Sequence, residues 1–241
     1  MRFRDRTEAG RQLARELERF RGARTVVLGL VRGGVLVARE VARALAAPLE
    51  PMVALPLCAS ESPDFELGAI AEGGGAYVDP DALLEAGLRD ADVEAIAERE
   101  GAELARRVRL YRGGHPLREL AGATVLVVDD AVATGATARA AARAARKAGA
   151  ARVVLAAPVI AGDRVAELRA DFDEVVALES PDHVLAAGVW YERFAEVDDG
   201  ELLALLGRNA AAEGGAGGDA DPRGATEDPP AGQPHPHPPR D

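Results

Sequence analysis

One cysteine, Cys58, is all that 241 residues contain. No intramolecular disulfide can form, which points to a reducing, cytoplasmic setting. No apolar run is long enough to span a bilayer. The charged opening Met1-Arg2-Phe3-Arg4-Asp5-Arg6 offers no signal-peptide h-region, so no membrane association is expected. Positive charge is in the minority: 29 Lys and Arg face 40 Asp and Glu, for a net charge of −11. That balance argues against a nucleic-acid or anionic-membrane surface. There is no Gly-x-x-x-x-Gly-Lys loop and no Gly-x-Gly-x-x-Gly after a strand, so nucleotide readings built on those loops have no support. Hydrophobic residues make up 48% of the chain, enough for one sizeable core.

From Gly207 onward the chain has no Val, Leu, Ile or Phe. It holds seven of the 15 prolines, seven of the 26 glycines, six acids and three bases. Such a segment buries too little apolar surface to offset its ordering entropy, so 207–241 is expected to be a disordered tail behind a 1–206 domain. Its end, Pro234-His235-Pro236-His237-Pro238-Pro239, suits a transition metal or a polyproline-reading partner, though a passive tail is the plainer reading.

The most informative stretch runs from Val125 to Thr137. Val125-Leu126-Val127-Val128 reads as a buried parallel strand. Asp129-Asp130 follows, then a turn of small residues, then an alanine-rich helix over Ala138–Ala148. The first turn of a helix presents unpaired N–H groups and partial positive charge, which a phosphate satisfies. Thr134 and Thr137 add hydroxyl donors, and Gly135 lets backbone approach the ligand. The two carboxylates would repel a phosphate. As acceptors they suit sugar hydroxyls, or water on a bound Mg²⁺. A phosphate at one end of a vicinal diol describes ribose 5-phosphate.

The pattern Asp129-Asp130-x-x-x-Thr134-Gly135-x-Thr137 after a hydrophobic strand resembles the PRPP-binding motif of the type I phosphoribosyltransferases (PRPP is 5-phosphoribosyl 1-pyrophosphate). The resemblance implies Mg²⁺-dependent transfer of ribose 5-phosphate to a nitrogenous acceptor, with release of pyrophosphate. It assigns the ribose hydroxyls to Asp129 and Asp130, which would meet the metal only through ribose or water. It assigns the 5′-phosphate to Ala133, Thr134, Gly135, Ala136 and Thr137.

A second strand–loop–helix unit lies upstream: a strand over Thr25–Leu30, then Val31-Arg32-Gly33-Gly34, then a helix to about Ala47. Two glycines after an arginine suit an anion-binding loop, and Arg32, Gly33 and Gly34 resemble the family's pyrophosphate loop. Phe3-x-Asp5-Arg6-x-x-Ala9-Gly10, Leu67-Gly68-Ala69-Ile70-Ala71-Glu72-Gly73-Gly74, Tyr111-Arg112-Gly113-Gly114 and Trp190-Tyr191-x-x-Phe194 widen the likeness to a bacterial phosphoribosyltransferase-domain family of largely unassigned substrate, over about Met1 to Leu206. Related folds often dimerise, so a homodimer is expected on the same ground.

Around these units the spacing predicts a helix over Thr7–Phe20 capped by Thr7, one interrupted strand over Leu49–Leu57 and an exposed loop over Cys58–Asp64. A short strand over Leu67–Ala71 and Tyr77-Val78 suggest a hairpin. A helix over Asp90–Leu110 and a turn-rich Tyr111–Thr124 come next. Strands at Ala151–Ala157 and Val175–Leu178 alternate with helices at Asp163–Ala170 and Asp198–Leu206. The class is α/β: a mainly parallel sheet with helices on both faces and a small hood or insertion.

Two departures from the family pattern stand out. An Arg-Lys pair often occupies the segment equivalent to Leu55-Pro56, where a cation would reach the leaving group. Here the pair is apolar, and Arg32 is the first substitute. Purine-salvage relatives carry an aspartate where this chain has Ala133. Trp190 and Tyr191 are the candidate acceptor pocket, with aromatic faces for a planar base; their alternative is packing of the last helix onto the core. A catalytically weak or inactive module that binds PRPP or a nucleotide is the rival to an enzyme.

Overall fold

A computed structural model of the chain describes residues 2–22, 24–59, 62–113 and 115–207. The elements in order are α1 (Arg6–Glu16), β1 (Thr25–Leu30), α2 (Gly33–Leu45), β2 (Leu49–Met52), β3 (Ala54–Ala59), β4 (Ser62–Ala71), β5 (Gly75–Val78), α3 (Pro80–Glu85), α4 (Asp90–Arg112), β6 (Thr124–Val128), α5 (Ala136–Lys147), β7 (Arg152–Val159), α6 (Val165–Leu168), β8 (Glu174–Glu179) and α7 (Asp199–Leu205). Two sheets result. One is parallel, in the order β2-β1-β6-β7-β8; the other is antiparallel, β3-β4-β5.

The parallel sheet is covered on both faces, which is why β1 is buried at every position. Alternate side chains divide between two cores. Val27, Leu126 and Val154 meet Leu13 of α1, Leu17 at its C-cap, and Val37 and Val41 of α2. Val26, Leu28, Val125, Val127, Val153 and Leu155 meet the alanines of α5. That helix shares its core with Ala69, Ala71 and Tyr77 of the antiparallel sheet as well. A helix enclosed by two sheets has room only for small residues, which accounts for its alanine run.

Within the parallel sheet the chain moves outward from β1 to β2 on one side and through β6, β7 and β8 on the other. The direction of winding reverses between β1 and β6, and crevices of this kind at the carboxyl ends of strands hold ligands in open α/β sheets. Both phosphate-loop candidates leave the sheet there.

Several expectations need correction. The N-cap of α1 is Asp5, whose carboxylate accepts from the Glu8 N–H; Thr7 lies inside the helix. The stretch Leu49–Leu57 is two strands in different sheets, β2 and β3, with the break at Val53. Cys58 and Ala59 extend β3, and β4 begins at Ser62, so most of the expected loop is strand. This antiparallel sheet with α3 and α4 is the insertion between β2 and β6.

α4 runs on to Arg112, and a buried ion pair explains why. Arg112 is 2% exposed; its Nε and Nη2 donate to Glu72 at 2.6 and 3.1 Å, its Nη1 to Glu50 at 3.0 Å and its Nη2 to the Pro51 carbonyl at 2.6 Å. Among the described residues no helix is long and apolar enough to cross a membrane. The expected tail lies outside the described residues apart from Gly207, and so does the proline–histidine stretch at its end.

Candidate functional site

Parallel pairing of β1 with β6 sets the ends of the two strands side by side. The loop after β1 is shorter than expected, because α2 already begins at Gly33. Its glycines touch the acid pair directly. A Cβ on Gly33 would overlap Asp130 Oδ2 and lie 3.0 Å from Arg6 Nε; one on Gly34 would lie 2.7 Å from the Val128 carbonyl oxygen and 2.9 Å from Asp129 Cα. A side chain at Gly34 would push the loops apart, and one at Gly33 would displace the Asp130 carboxylate. The structure thus brings Gly33, Gly34, Asp129 and Asp130 together.

Asp129 and Asp130 are held differently. The Asp130 N–H donates to Asp129 Oδ1 at 2.8 Å. Asp130 Oδ2 accepts from Arg6 Nε at 2.6 Å, and its carbonyl accepts from the Tyr191 hydroxyl at 2.6 Å. Desolvation, and then the adjoining Asp130 carboxylate, push the Asp129 carboxyl well above the usual carboxylate range. Burial and the same carboxylate push the Tyr191 phenol up. With both carboxylates ionised, the pair would carry one negative charge more than Arg6 offsets. Hydroxyl donors or a hydrated cation would relieve the excess. No group of three or more metal-ligating side chains occurs among the described residues.

The segment after the acids is anchored to β7: the Val132 N–H donates to the Val159 carbonyl at 2.9 Å, and the Ala161 N–H to the Val132 carbonyl at 2.9 Å. Gly135 is the N-cap of α5 with φ 81°, a conformation that favours glycine, and it has no side chain with which to cap the helix. Ala133 and Thr134 are exposed, Thr137 is half-buried, and Ala136 opens the helix beneath them. Thr134 Oγ1 accepts from the Ala136 N–H at 3.3 Å and donates to the Glu66 carboxylate.

Arg32 is engaged by carboxylates other than Asp129 and Asp130. Its guanidinium meets Glu196 at 3.1 Å and Asp199 at 3.6 Å. With Arg6, Gly33, Phe194, Glu196 and Val197 it lines a cavity of about 310 Å³. No cation stands in for the missing pair at Leu55-Pro56 within that strand, because β3 holds no Lys or Arg.

The aromatic cluster divides. Tyr191 is buried between Phe3 and Phe194, with ring centroids 5.7 and 5.2 Å away. Its hydroxyl braces the Asp130 backbone, so its faces are not open to a base. Trp190 is half-buried against the Phe3 cluster. Phe194 is the ring that reaches the cavity, 38% exposed, with the Arg6 guanidinium 3.8 Å from its centroid.

Arg6 and Glu66 escaped the sequence reading. Arg6 belongs to the Phe3-x-Asp5-Arg6 motif and Glu66 immediately precedes Leu67-Gly68, but only the fold brings them to Asp130 and Thr134.

A family model for the phosphoribosyl transferase domain matches residues 5–191. Two proteins from Mycobacterium tuberculosis strains, named provisionally as phosphoribosyl transferases, are 42% identical over 206 residues, covering 86% of this chain and 46% of theirs. The chain therefore spans about half the length of these curated relatives. A crystal structure from Thermus thermophilus is 42% identical with a TM-score of 0.72, covering 86% of this chain and 98% of that one. The match of the domain model across both loops, joined to the parallel sheet that carries them, shows that this chain belongs to the phosphoribosyl transferase domain family.

Proposed function

We propose that the chain is a phosphoribosyltransferase that takes ribose 5-phosphate from PRPP, with Mg²⁺, and passes it to a nitrogenous acceptor. The observation that carries this reading is the contact of Gly33 and Gly34 with Asp129 and Asp130. It sets a candidate pyrophosphate loop within one ligand's length of a candidate ribose-phosphate loop.

In this account Asp129 and Asp130 accept from the ribose hydroxyls. Ala133, Thr134, Gly135, Ala136 and Thr137 receive the 5′-phosphate at the start of α5. Backbone N–H groups at Gly33 and Gly34 face the pyrophosphate, with Arg32 and Arg6 nearby as cations. Bound Mg²⁺ would neutralise pyrophosphate oxygens. A nitrogen lone pair attacks the anomeric carbon, and the bond to pyrophosphate breaks with its electron pair leaving on oxygen. The protein contributes position and charge. Phe194, with Trp190 at its flank, is the aromatic surface for a planar acceptor.

The apolar Leu55-Pro56 segment and the engagement of Arg32 by Glu196 and Asp199 favour a second reading, a module that binds PRPP without turning it over. Pyrophosphate release from PRPP over a panel of nitrogenous acceptors separates the two. Release with any one acceptor supports the enzyme. PRPP binding with no release across the panel supports the binding module.

A further inference from the structure

Glu66 lies in β4 of the antiparallel sheet, 68 residues from the phosphate loop. Its carboxylate nevertheless accepts the Thr134 hydroxyl proton. The ladder explains its aim. Leu57 pairs with Gly68 and Cys58 with Glu66, so Leu67 is an extra residue in β4. A bulge of this kind re-aims the neighbouring side chain. Here it leaves Leu67 buried in the insertion's own core. Glu66 faces a cavity of about 420 Å³ that Thr134 and Ala136 line from the other side, together with Asp79, Glu85 and Arg164.

A hydroxyl has one proton to give. While Thr134 gives it to Glu66, a phosphate at the start of α5 cannot have it. The carboxylate also places a negative charge where the helix end favours an anion. Burial pushes the Glu66 carboxyl up, the Thr134 hydrogen bond opposes that, and Asp79 adds to it. The hydroxyl is thus what compensates this carboxylate for its burial.

We propose that Glu66 is a specificity-determining residue: an internal anion that occupies the Thr134 hydroxyl and yields it only to a phosphate. The inference rests on the proposed ribose-phosphate site. Ligands that lack the 5′-phosphate leave the contact intact. A dianionic phosphate ester breaks it, because it makes several charge-assisted hydrogen bonds at the helix start in exchange for one. The cost of that exchange is set by the charge on Glu66.

The test is calorimetric titration of the full chain with ribose 5-phosphate, and separately with inorganic pyrophosphate, for wild type, E66Q and E66A. Glutamine keeps the shape and the acceptor but removes the charge; alanine removes both. Thermal unfolding of each variant checks folding. Both variants should bind ribose 5-phosphate about tenfold more tightly, the scale of one charged hydrogen bond, with pyrophosphate binding unchanged. If wild type binds ribose 5-phosphate and folded variants bind it equally or more weakly, Glu66 is no gate. Equal tightening toward pyrophosphate also overturns the proposal, since the effect would then be one of general charge. If no form binds ribose 5-phosphate, the proposed function itself fails and the gate with it.

Discussion

Arg6 Nε stands 2.6 Å from Oδ2 of Asp130, with only 9% and 14% of the two side chains exposed. The guanidinium also donates from Nη1 to the Ala195 carbonyl at 2.8 Å. One residue of α1 thereby joins the end of β6 to the segment after Tyr191. Removing one partner of a buried pair leaves the other charge uncompensated. Arg6→Ala is expected to destabilise the fold by about 3 kcal/mol in urea unfolding. Arg6→Lys should recover only part, because a point charge cannot span Asp130 and Ala195 together. A change within about 0.5 kcal/mol, the range of ordinary surface substitutions, would show that the pair is not a structural tie.

The two glycines should respond differently. Gly34→Ala sets a Cβ 2.7 Å from the Val128 carbonyl oxygen, and backbone cannot step aside. A loss of about 1–3 kcal/mol is expected, the range for overpacking, together with loss of PRPP binding. Gly33→Ala meets the Asp130 carboxylate, a side chain that can rotate. It should cost less stability and still lose PRPP affinity, because Asp130 leaves its place. Thermal unfolding paired with calorimetry separates these outcomes, and normal PRPP affinity in Gly33→Ala would contradict the contact.

Arg112 supplies a prediction far from the chemistry. Arg112→Met leaves Glu72, 8% exposed, without its cation, and Glu50 with Arg118 at 3.4 Å in place of two arginines. Glu72 also accepts from the Val53 N–H at 2.9 Å, so it cannot leave without orphaning a backbone donor. The expected loss is about 3–5 kcal/mol. Adding Glu72→Gln should restore part of it in a double-mutant cycle. Strict additivity would show the two residues to be uncoupled.

Asp171 gives a pH dependence. Desolvation pushes its carboxyl up, but hydrogen bonds from Arg143 and Arg139 outweigh that and hold it below its usual value of 3.8. A group with a lowered folded pKa adds stability that is full above the unfolded pKa and lost as pH falls through the folded one. Wild type should therefore melt above Asp171→Asn at pH 7, and the gap should close as pH falls below about 4. A gap that stays constant across that range would remove the ion pair as its cause.

The candidate phosphate loop was legible in the sequence because its signal is local. Val125–Val128, the acids, Gly135 and the threonines sit in one run, and strand, turn and helix each follow from neighbours along the chain. The break between β2 and β3 was hidden because both halves are apolar; only at Val53 does the chain pass from one sheet to the other. The cap of α1 was misplaced by two residues because Asp5 and Thr7 are both good caps. Arg6 and Glu66 were out of reach for another reason. Their partners lie 124 and 68 residues away, and nothing local records such a pairing. For Tyr191 the sequence leaves a pocket face and a packing role both open, since it does not tell a ring that faces a ligand from one that braces a backbone carbonyl.

The central claim is that the crevice between β1 and β6 holds PRPP across both loops. Calorimetric titration of the full chain with PRPP, with and without Mg²⁺, tests it most directly. The account predicts one saturable site, tighter with Mg²⁺, and marked weakening when Asp129 and Asp130 are both changed to Asn. Absence of binding in both conditions, or undiminished affinity in the double variant, would contradict it.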